Sequence, residues 1–180
     1  VISAADAATT TDTWRKIPDP CAVVIFGAAG DLTERKLMPA LFRLFCKGLL
    51  PESFAVVAVA RSEMDSESFR QKVRAGIETY SRISPDQFNK WPAFAEGLVY
   101  HRVNYDNAED YKALGKLLAK IDKKKDAADN CLFYLSTPPI LYPIIVDQLG
   151  KAGLSQQSGG SWRRIIIEKP FGHDLASATD

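Results

Sequence analysis

The sequence has 180 residues, 46% of them apolar and 25% charged, with a formal net charge of +1. This composition is typical of a globular domain with one core, and the small net charge argues against a nucleic-acid partner or a membrane surface. No apolar stretch approaches the ~20 residues that a membrane span needs. The three cysteines (Cys21, Cys46, Cys131) and two histidines (His101, His173) lack metal-ligand spacing, so we predict no metal site and reduced core cysteines in a cytoplasmic protein.

The two ends of the sequence differ from its middle. Residues 1–19 include the small, polar, aperiodic run SAADAATTTDT and lack the basic start and apolar core of a signal peptide. We expect a disordered leader over 1–19 and one folded domain over 20–180. The run DLASATD at 174–180 begins a helical pattern and then stops, which suggests a larger parent protein.

Strand-like and helix-like patterns alternate from Cys21 onward. The predicted strands are 21–26, 55–60, 98–103, 131–136 and 164–169. The predicted helices are 32–48, 66–80, 109–122 and 139–152, with a short one at 85–94. Several strand segments are continuous apolar runs, as expected for strands covered on both faces of a parallel sheet. The pattern predicts an α/β fold with a Rossmann-type doubly wound parallel sheet in three layers.

A glycine turn joins the first predicted strand to the first predicted helix. Its pattern is G-x-x-G-x-x-T, formed by Gly27, Gly30 and Thr33. Such a turn offers free backbone N–H groups and the positive end of a helix dipole, which together bind phosphate. A tight strand–helix turn that binds no ligand is the alternative.

An acidic residue, Asp31, lies inside this turn. Two like unit charges ~4 Å apart cost about 4 kcal/mol at an effective dielectric near 20, so its carboxylate should not face a phosphate. We therefore expect the side chain to turn away and cap the helix. The N–H groups of Asp31 and Leu32 would then remain available to an anion.

The end of the second strand indicates which nucleotide is bound. An acidic residue there suits the ribose hydroxyl of NAD, whereas an arginine suits the 2′-phosphate of NADP. The sequence VAVARSEM places Arg61 at this end, while Glu63 and Asp65 fall beyond the strand. Because arginine forms charge-assisted bonds to phosphate, we predict NADP, with Arg61 as a simple surface arginine as the alternative.

Polar side chains also follow the fourth and fifth strands. Ser136 ends the fourth, and Thr137 and Tyr142 follow it, near the expected crevice at the carboxyl ends of the strands, with a core position as the alternative for Tyr142. Lys169, followed by Pro170, would place an ammonium group at the mouth of that crevice. It suits an anionic substrate or acid catalysis, with a surface lysine as the alternative.

Four segments in this order, GAAGDLTERKL, VARSEM, FYLSTPPILY and IIIEKPFGHDL, resemble the amino-terminal domain of the glucose-6-phosphate dehydrogenase family. The similarity spans about residues 21–180. It implies an oxidoreductase of the pentose phosphate pathway that oxidises glucose 6-phosphate to 6-phosphogluconolactone with NADP. The family also implies a homo-oligomeric parent.

The resemblance further implies roles for individual residues. Lys36 would point between coenzyme and substrate, and Arg61 would bind the 2′-phosphate. Asn104 and Tyr105 match backbone positions near the coenzyme, and Tyr142 matches a tyrosine that contacts the coenzyme in some members. Lys169 would bridge nicotinamide and sugar phosphate, followed by a cis proline at position 170. The coenzyme phosphate turn would consist of Gly27, Ala28, Ala29, Gly30, Asp31, Leu32 and Thr33.

Two departures from the family pattern limit these expectations. Ala29 replaces a serine or threonine of many members, so NAD is expected as a weaker alternative coenzyme. The family's RIDHYLGKE segment, which holds its histidine base, does not occur in these 180 residues. We therefore expect the chain to bind NADP without turning over glucose 6-phosphate. A non-catalytic NADP-binding module and an oxidoreductase of the glucose–fructose oxidoreductase or inositol dehydrogenase type are the rival hypotheses.

Overall fold

The computed structural model describes residues 17–125 and 129–169. Most of the leader expected over residues 1–19 lies outside these ranges. The helical pattern after residue 173 and the expected cis Pro170 also lie outside them.

The five predicted strands form one parallel sheet. Their bounds are β1 Cys21–Phe26, β2 Phe54–Ala60, β3 Leu98–Arg102, β4 Cys131–Leu135 and β5 Arg163–Ile167. The strand order β3-β2-β1-β4-β5 confirms the predicted Rossmann-type topology. All residues of β1 and β2 are buried, which explains their continuous apolar sequences. The predicted end of β5 at 169 was wrong, because β4 leaves the sheet after Leu135, the partner of Ile167.

The helices are α1 Met38–Cys46, α2 Ser66–Tyr80, α3 Pro85–Phe88, α4 Trp91–Glu96, α5 Ala108–Lys125 and α6 Tyr142–Lys151. The predicted continuous helix over 32–48 is interrupted near its start by a π-helical segment, Thr33–Leu37. Pro39 lacks the N–H that would bond to the carbonyl of Arg35 and its ring clashes with that carbonyl, so an ordinary α-helical turn is disfavoured there.

Two other predicted helices are divided. The region 85–94 contains α3 and α4, separated by a turn at residues 89–90. The region 139–152 begins with a 3-10 turn, Pro139–Leu141, before α6. In each case a proline occupies one of the first two helical positions, where its missing N–H costs no helical bond.

Helices cover both faces of the sheet and complete the three predicted layers. One face packs against α1, α2 and α4 through side chains that include Phe42, Phe69 and Phe94. The opposite face packs against α5 and α6 through side chains that include Tyr111 and Ile145. The two buried clusters hold the central strands in place, and so fix the positions of the turns that follow them.

The cysteines are free and buried, as predicted. Burial raises the pKa of the Cys21 and Cys131 thiols to about 11, so both are protonated at neutral pH. In the part of the chain that the structure describes, no helix is both long and apolar enough to cross a membrane. No cluster of three metal-ligating side chains occurs among the same residues.

Candidate coenzyme site

A crevice of about 430 Å³ lies at the carboxyl ends of the strands. It opens between β1 and β4, where the strand order reverses, which is the usual ligand position in a doubly wound sheet. Its walls come from the segments that follow β1, β2, β3 and β4. The residues that line it are Gly27, Ala29, Gly30, Ala60, Arg61, Ser62, Tyr105, Ser136, Thr137, Pro138 and Leu141.

Gly27 makes the sharp turn at the end of β1. Its φ is +81°, and a Cβ atom at this position would lie 2.2 Å from the carbonyl oxygen of Ser136. The N–H of Gly27 donates to the carbonyl of Val59 (2.9 Å) and to the phenol oxygen of Tyr105 (3.2 Å). Only glycine fits a left-handed backbone packed this closely against the end of β4.

Some N–H groups of the glycine turn are hydrogen-bonded within the protein, and others have no acceptor there. Ala28 N–H donates to Val59, and Gly30 N–H donates to the carbonyl of Gly27 at 2.9 Å. The first helical bond runs from the N–H of Glu34 to the carbonyl of Gly30 at 3.2 Å. The N–H groups of Asp31, Leu32 and Thr33 precede that bond and have no acceptor within the helix, so they include the donors predicted to bind an anion, those of Asp31 and Leu32.

The expectation that Asp31 caps the helix was wrong. Its side chain is 79% exposed and forms an ion pair with Arg35 at 3.2 Å. The N-cap residue of the π-helical segment is Leu32, which has no side-chain cap bond. A charged partner one helical turn away competes with the backbone N–H groups for the carboxylate. The carboxylate is therefore directed to Arg35, and its charge is offset there.

Arg61 lies exposed at the end of β2, beside the glycine turn. The carbon of its guanidinium group is 5.7 Å from the ring centroid of Tyr105, a cation–π distance. Burial raises the pKa of the Tyr105 phenol, although its bond from Gly27 and the nearby Arg61 act in the opposite direction. No ion pair joins Arg61 to a carboxylate among the described residues. Its charge is thus available to an anion in the crevice.

Buried hydroxyl groups mark the β4 side of the crevice. The side-chain oxygens of Ser136 and Thr137 are buried and have no hydrogen-bond partner within residues 17–125 and 129–169. The hydroxyl of Thr33, in the glycine turn, is also buried and has no hydrogen-bond partner among the described residues. Buried polar groups are normally paired. A dinucleotide, with its phosphate and carboxamide groups, fits a crevice lined by the unpaired hydroxyls of Ser136 and Thr137, with the free N–H groups of the glycine turn beside it.

The other predicted site residues do not line the crevice, and this holds also for Asp31, Leu32 and Thr33 of the turn. Ala28 is buried in the core beneath the turn. Lys36 is exposed on the π-helical segment, and Asn104 donates its N–H to the carboxylate of Asp110 at 2.7 Å. Tyr142 donates to the carbonyl of Glu168 at 3.4 Å, and Lys169 is exposed just after β5.

Three contacts were not predicted from the sequence. The phenol of Tyr105 binds the N–H of Gly27, 78 positions away. The Lys72 ammonium donates to the carbonyl of Ala29 at 2.9 Å. The phenol of Tyr134 donates to the Glu168 carboxylate, and desolvation with this bond raises the pKa of Tyr134 to about 12. An aromatic residue three positions after the end of β3 was the one local signal for the first contact; the other two contacts depend on tertiary packing.

Known proteins with similar sequences are dehydrogenases. Residues 24–180 match the family model "Glucose-6-phosphate dehydrogenase, NAD binding domain". Glucose-6-phosphate 1-dehydrogenase 2 of Mycobacterium tuberculosis is 39% identical over 165 residues, which cover 92% of this chain and 32% of that protein. The enzyme of Chlamydia pneumoniae is 44% identical over 162 residues, covering 88% of this chain and 31% of its own length.

Solved structures agree with these relatives. A glucose-6-phosphate dehydrogenase in complex with glucose 6-phosphate has a TM-score of 0.77 at 32% identity, covering 91% of this chain and 33% of that one. The Mycobacterium avium enzyme has a TM-score of 0.74 at 29% identity, covering 90% and 32%. The chain spans about a third of the length of these relatives. It belongs to the glucose-6-phosphate dehydrogenase family and corresponds to the NAD binding domain of that family.

Proposed function

We propose that this chain is the NADP-binding part of an enzyme that oxidises glucose 6-phosphate to 6-phosphogluconolactone. The family match supports a nicotinamide dinucleotide as the coenzyme. The observation that favours NADP is the position of Arg61, exposed at the end of β2 without a carboxylate partner among the described residues. An arginine at this point suits a 2′-phosphate, which carries close to two negative charges near neutral pH.

Each segment around the crevice is proposed to bind a different part of the coenzyme or substrate. The N–H groups of Asp31 and Leu32 bind the pyrophosphate, and Arg61 binds the 2′-phosphate by charge-assisted hydrogen bonds. The hydroxyls of Ser136 and Thr137 face the remainder of the dinucleotide. When bound, the nicotinamide accepts the hydride from the sugar. Lys169, exposed after β5, supplies a positive charge for the sugar phosphate.

Coenzyme selection is proposed to be incomplete. Ala29 lines the crevice and has no hydroxyl to donate to a 2′-phosphate. Arg61 therefore selects NADP without a second hydrogen-bond donor from position 29. NAD is expected to bind as well, but more weakly than NADP. The free, buried cysteines are compatible with a reducing compartment, so a cytoplasmic location is proposed as well. A homo-oligomeric parent is proposed from the family resemblance.

Amide chemical shifts of the isotopically labelled chain test the position of the coenzyme. During titration with NADP⁺, we expect the largest shifts at the amides of Ala29, Asp31, Leu32 and Ser62. The reason is that these groups face, or lie next to, the proposed phosphate contacts.

A second cavity provides the internal control for this titration. It measures about 500 Å³ and is lined by residues that include Leu132 and Trp162. Neither residue lines the crevice at the carboxyl ends of the strands. Their amides should stay within the shift changes of the bulk of the domain. Shifts that concentrate at Leu132 and Trp162 and spare the glycine turn would refute the proposed site.

A further inference from the structure

A lysine on α2, Lys72, contacts the glycine turn. The Lys72 ammonium donates to the carbonyl of Ala29 at 2.9 Å and pairs with the carboxylate of Glu34 at 3.2 Å. The side chains of Lys72 and Glu34 are 33% and 30% exposed, so neither is a freely solvated surface group. One ammonium thus connects the start of the turn to the helical segment that follows it.

These contacts fix one peptide unit of the turn at both ends. The peptide that joins Ala29 to Gly30 has its carbonyl bound by Lys72 and its N–H bound to the carbonyl of Gly27 at 2.9 Å. A peptide unit is planar, so holding both of its polar groups determines its orientation. The N–H of Ala29 lies just before this unit and that of Asp31 just after it. Their directions into the crevice depend on the same constraint.

Close packing of α2 keeps Lys72 within reach. A Cβ atom at Gly76 would lie 3.1 Å from both the carbonyl oxygen and the Cγ atom of Glu34. Glycine at this position therefore allows α2 to approach the segment that carries Glu34. Lys72 lies one helical turn before Gly76, on the same face of α2, which directs it toward the turn.

The charge of Lys72 is offset locally. Glu34 and Asp31 are acidic residues beside a proposed phosphate site, and each is paired with a cation, Lys72 and Arg35 respectively. Without such pairing, each carboxylate would repel a bound phosphate. The Lys72–Glu34 pair has no net charge. Lys72 consequently acts by orienting the turn and neutralising Glu34, and does not serve as a separate anion-binding charge.

We propose that Lys72 is a positioning residue of the coenzyme site, which holds the Ala29–Gly30 peptide so that the neighbouring N–H groups face the pyrophosphate. The identity of the ligand rests on the proposed function. Because the pyrophosphate is common to NADP and NAD, Lys72 should affect the binding of both coenzymes equally.

The first test is calorimetric titration of the 180-residue chain and its Lys72→Met variant with NADP⁺ and NAD⁺. Loss of one charge-assisted hydrogen bond should weaken both coenzymes by about tenfold, leaving their affinity ratio unchanged. Lys72→Arg keeps the donor and the charge and should bind nearly as well as the original chain. Lys112→Met is the matched control, since Lys112 forms a surface ion pair with Glu109 at 2.7 Å on α5.

Two outcomes of the titration would overturn the proposal. Unchanged affinities in Lys72→Met would mean that the turn orients itself without the lysine. Weakening of NADP⁺ alone would make Lys72 a direct contact of the 2′-phosphate.

The second test needs no coenzyme. Hydrogen exchange of the Gly30 amide should be at least about tenfold faster in Lys72→Met, and restored in Lys72→Arg, because the peptide is no longer held at its carbonyl. Equal exchange rates in all three proteins would contradict the proposal. If the original chain binds neither coenzyme, the proposed function fails, while the Gly30 exchange rates still decide the role of Lys72 in the turn.

Discussion

Replacing Gly27 by alanine is expected to destabilise the domain by about 3–5 kcal/mol. Two costs add at this position. The φ of +81° is unfavourable for a residue with a side chain, and the new Cβ would lie 2.2 Å from the carbonyl oxygen of Ser136. That oxygen belongs to backbone that follows β4, so relief of the clash requires β1 and β4 to separate. Total stabilities of about 5–15 kcal/mol are typical, so the loss is large.

Gly48→Ala separates these two costs. Gly48 also has a positive φ, +65°, but nothing lies within 4 Å of its Cβ position. Its replacement should lower the free energy of unfolding only by the cost of a left-handed backbone for alanine, about 1–2 kcal/mol. Urea unfolding followed by circular dichroism gives both values. Equal losses in the two variants would show that the close approach of Gly27 to β4 contributes nothing.

Replacing Arg61 by methionine should weaken NADP⁺ binding by about 10- to 150-fold and leave NAD⁺ binding nearly unchanged. This range corresponds to the roughly 1.5–3 kcal/mol of a hydrogen bond to a charged group. Methionine keeps much of the apolar length of the side chain but removes the guanidinium above the Tyr105 ring. The readout is the ratio of the two dissociation constants, because a general disturbance of the crevice would weaken both coenzymes.

The controls for this substitution are two other arginine variants. Arg43→Met removes an exposed arginine on α1 that lines no part of the crevice, and should leave both affinities unchanged. Arg61→Lys retains a charge without the planar fork of donors and should give an intermediate ratio. If Arg61→Met binds NADP⁺ as tightly as the original chain, another residue must select the 2′-phosphate.

The sheet could be predicted because its sequence signals are local. The runs CAVVIF and FAVVAVA are buried along their whole length, and each ends where a turn or an exposed residue begins. The interruptions within the predicted helices were not predicted, although the prolines beside them are evident in the sequence. Whether Pro39 produces a kink, a π-helical segment or a new helix depends on how the preceding turn packs, which local sequence does not determine.

The site was less predictable from sequence because its contacts join distant segments. The position of Arg61 follows from the end of a strand and could be inferred directly. Asp31 had two plausible partners, the helix N–H groups and Arg35, and local rules do not rank them. Lys72 contacts Ala29 across 43 positions, and only the packing of α2 brings them together.

The most direct measurement of the central claim is calorimetric titration of the unmodified chain with NADP⁺ and NAD⁺ at equal ionic strength. If the crevice binds NADP through Arg61, NADP⁺ should bind at least about tenfold more tightly than NAD⁺, in line with one or more charge-assisted bonds to the 2′-phosphate. Equal affinity for the two coenzymes would contradict the assignment of Arg61 and of NADP to this site.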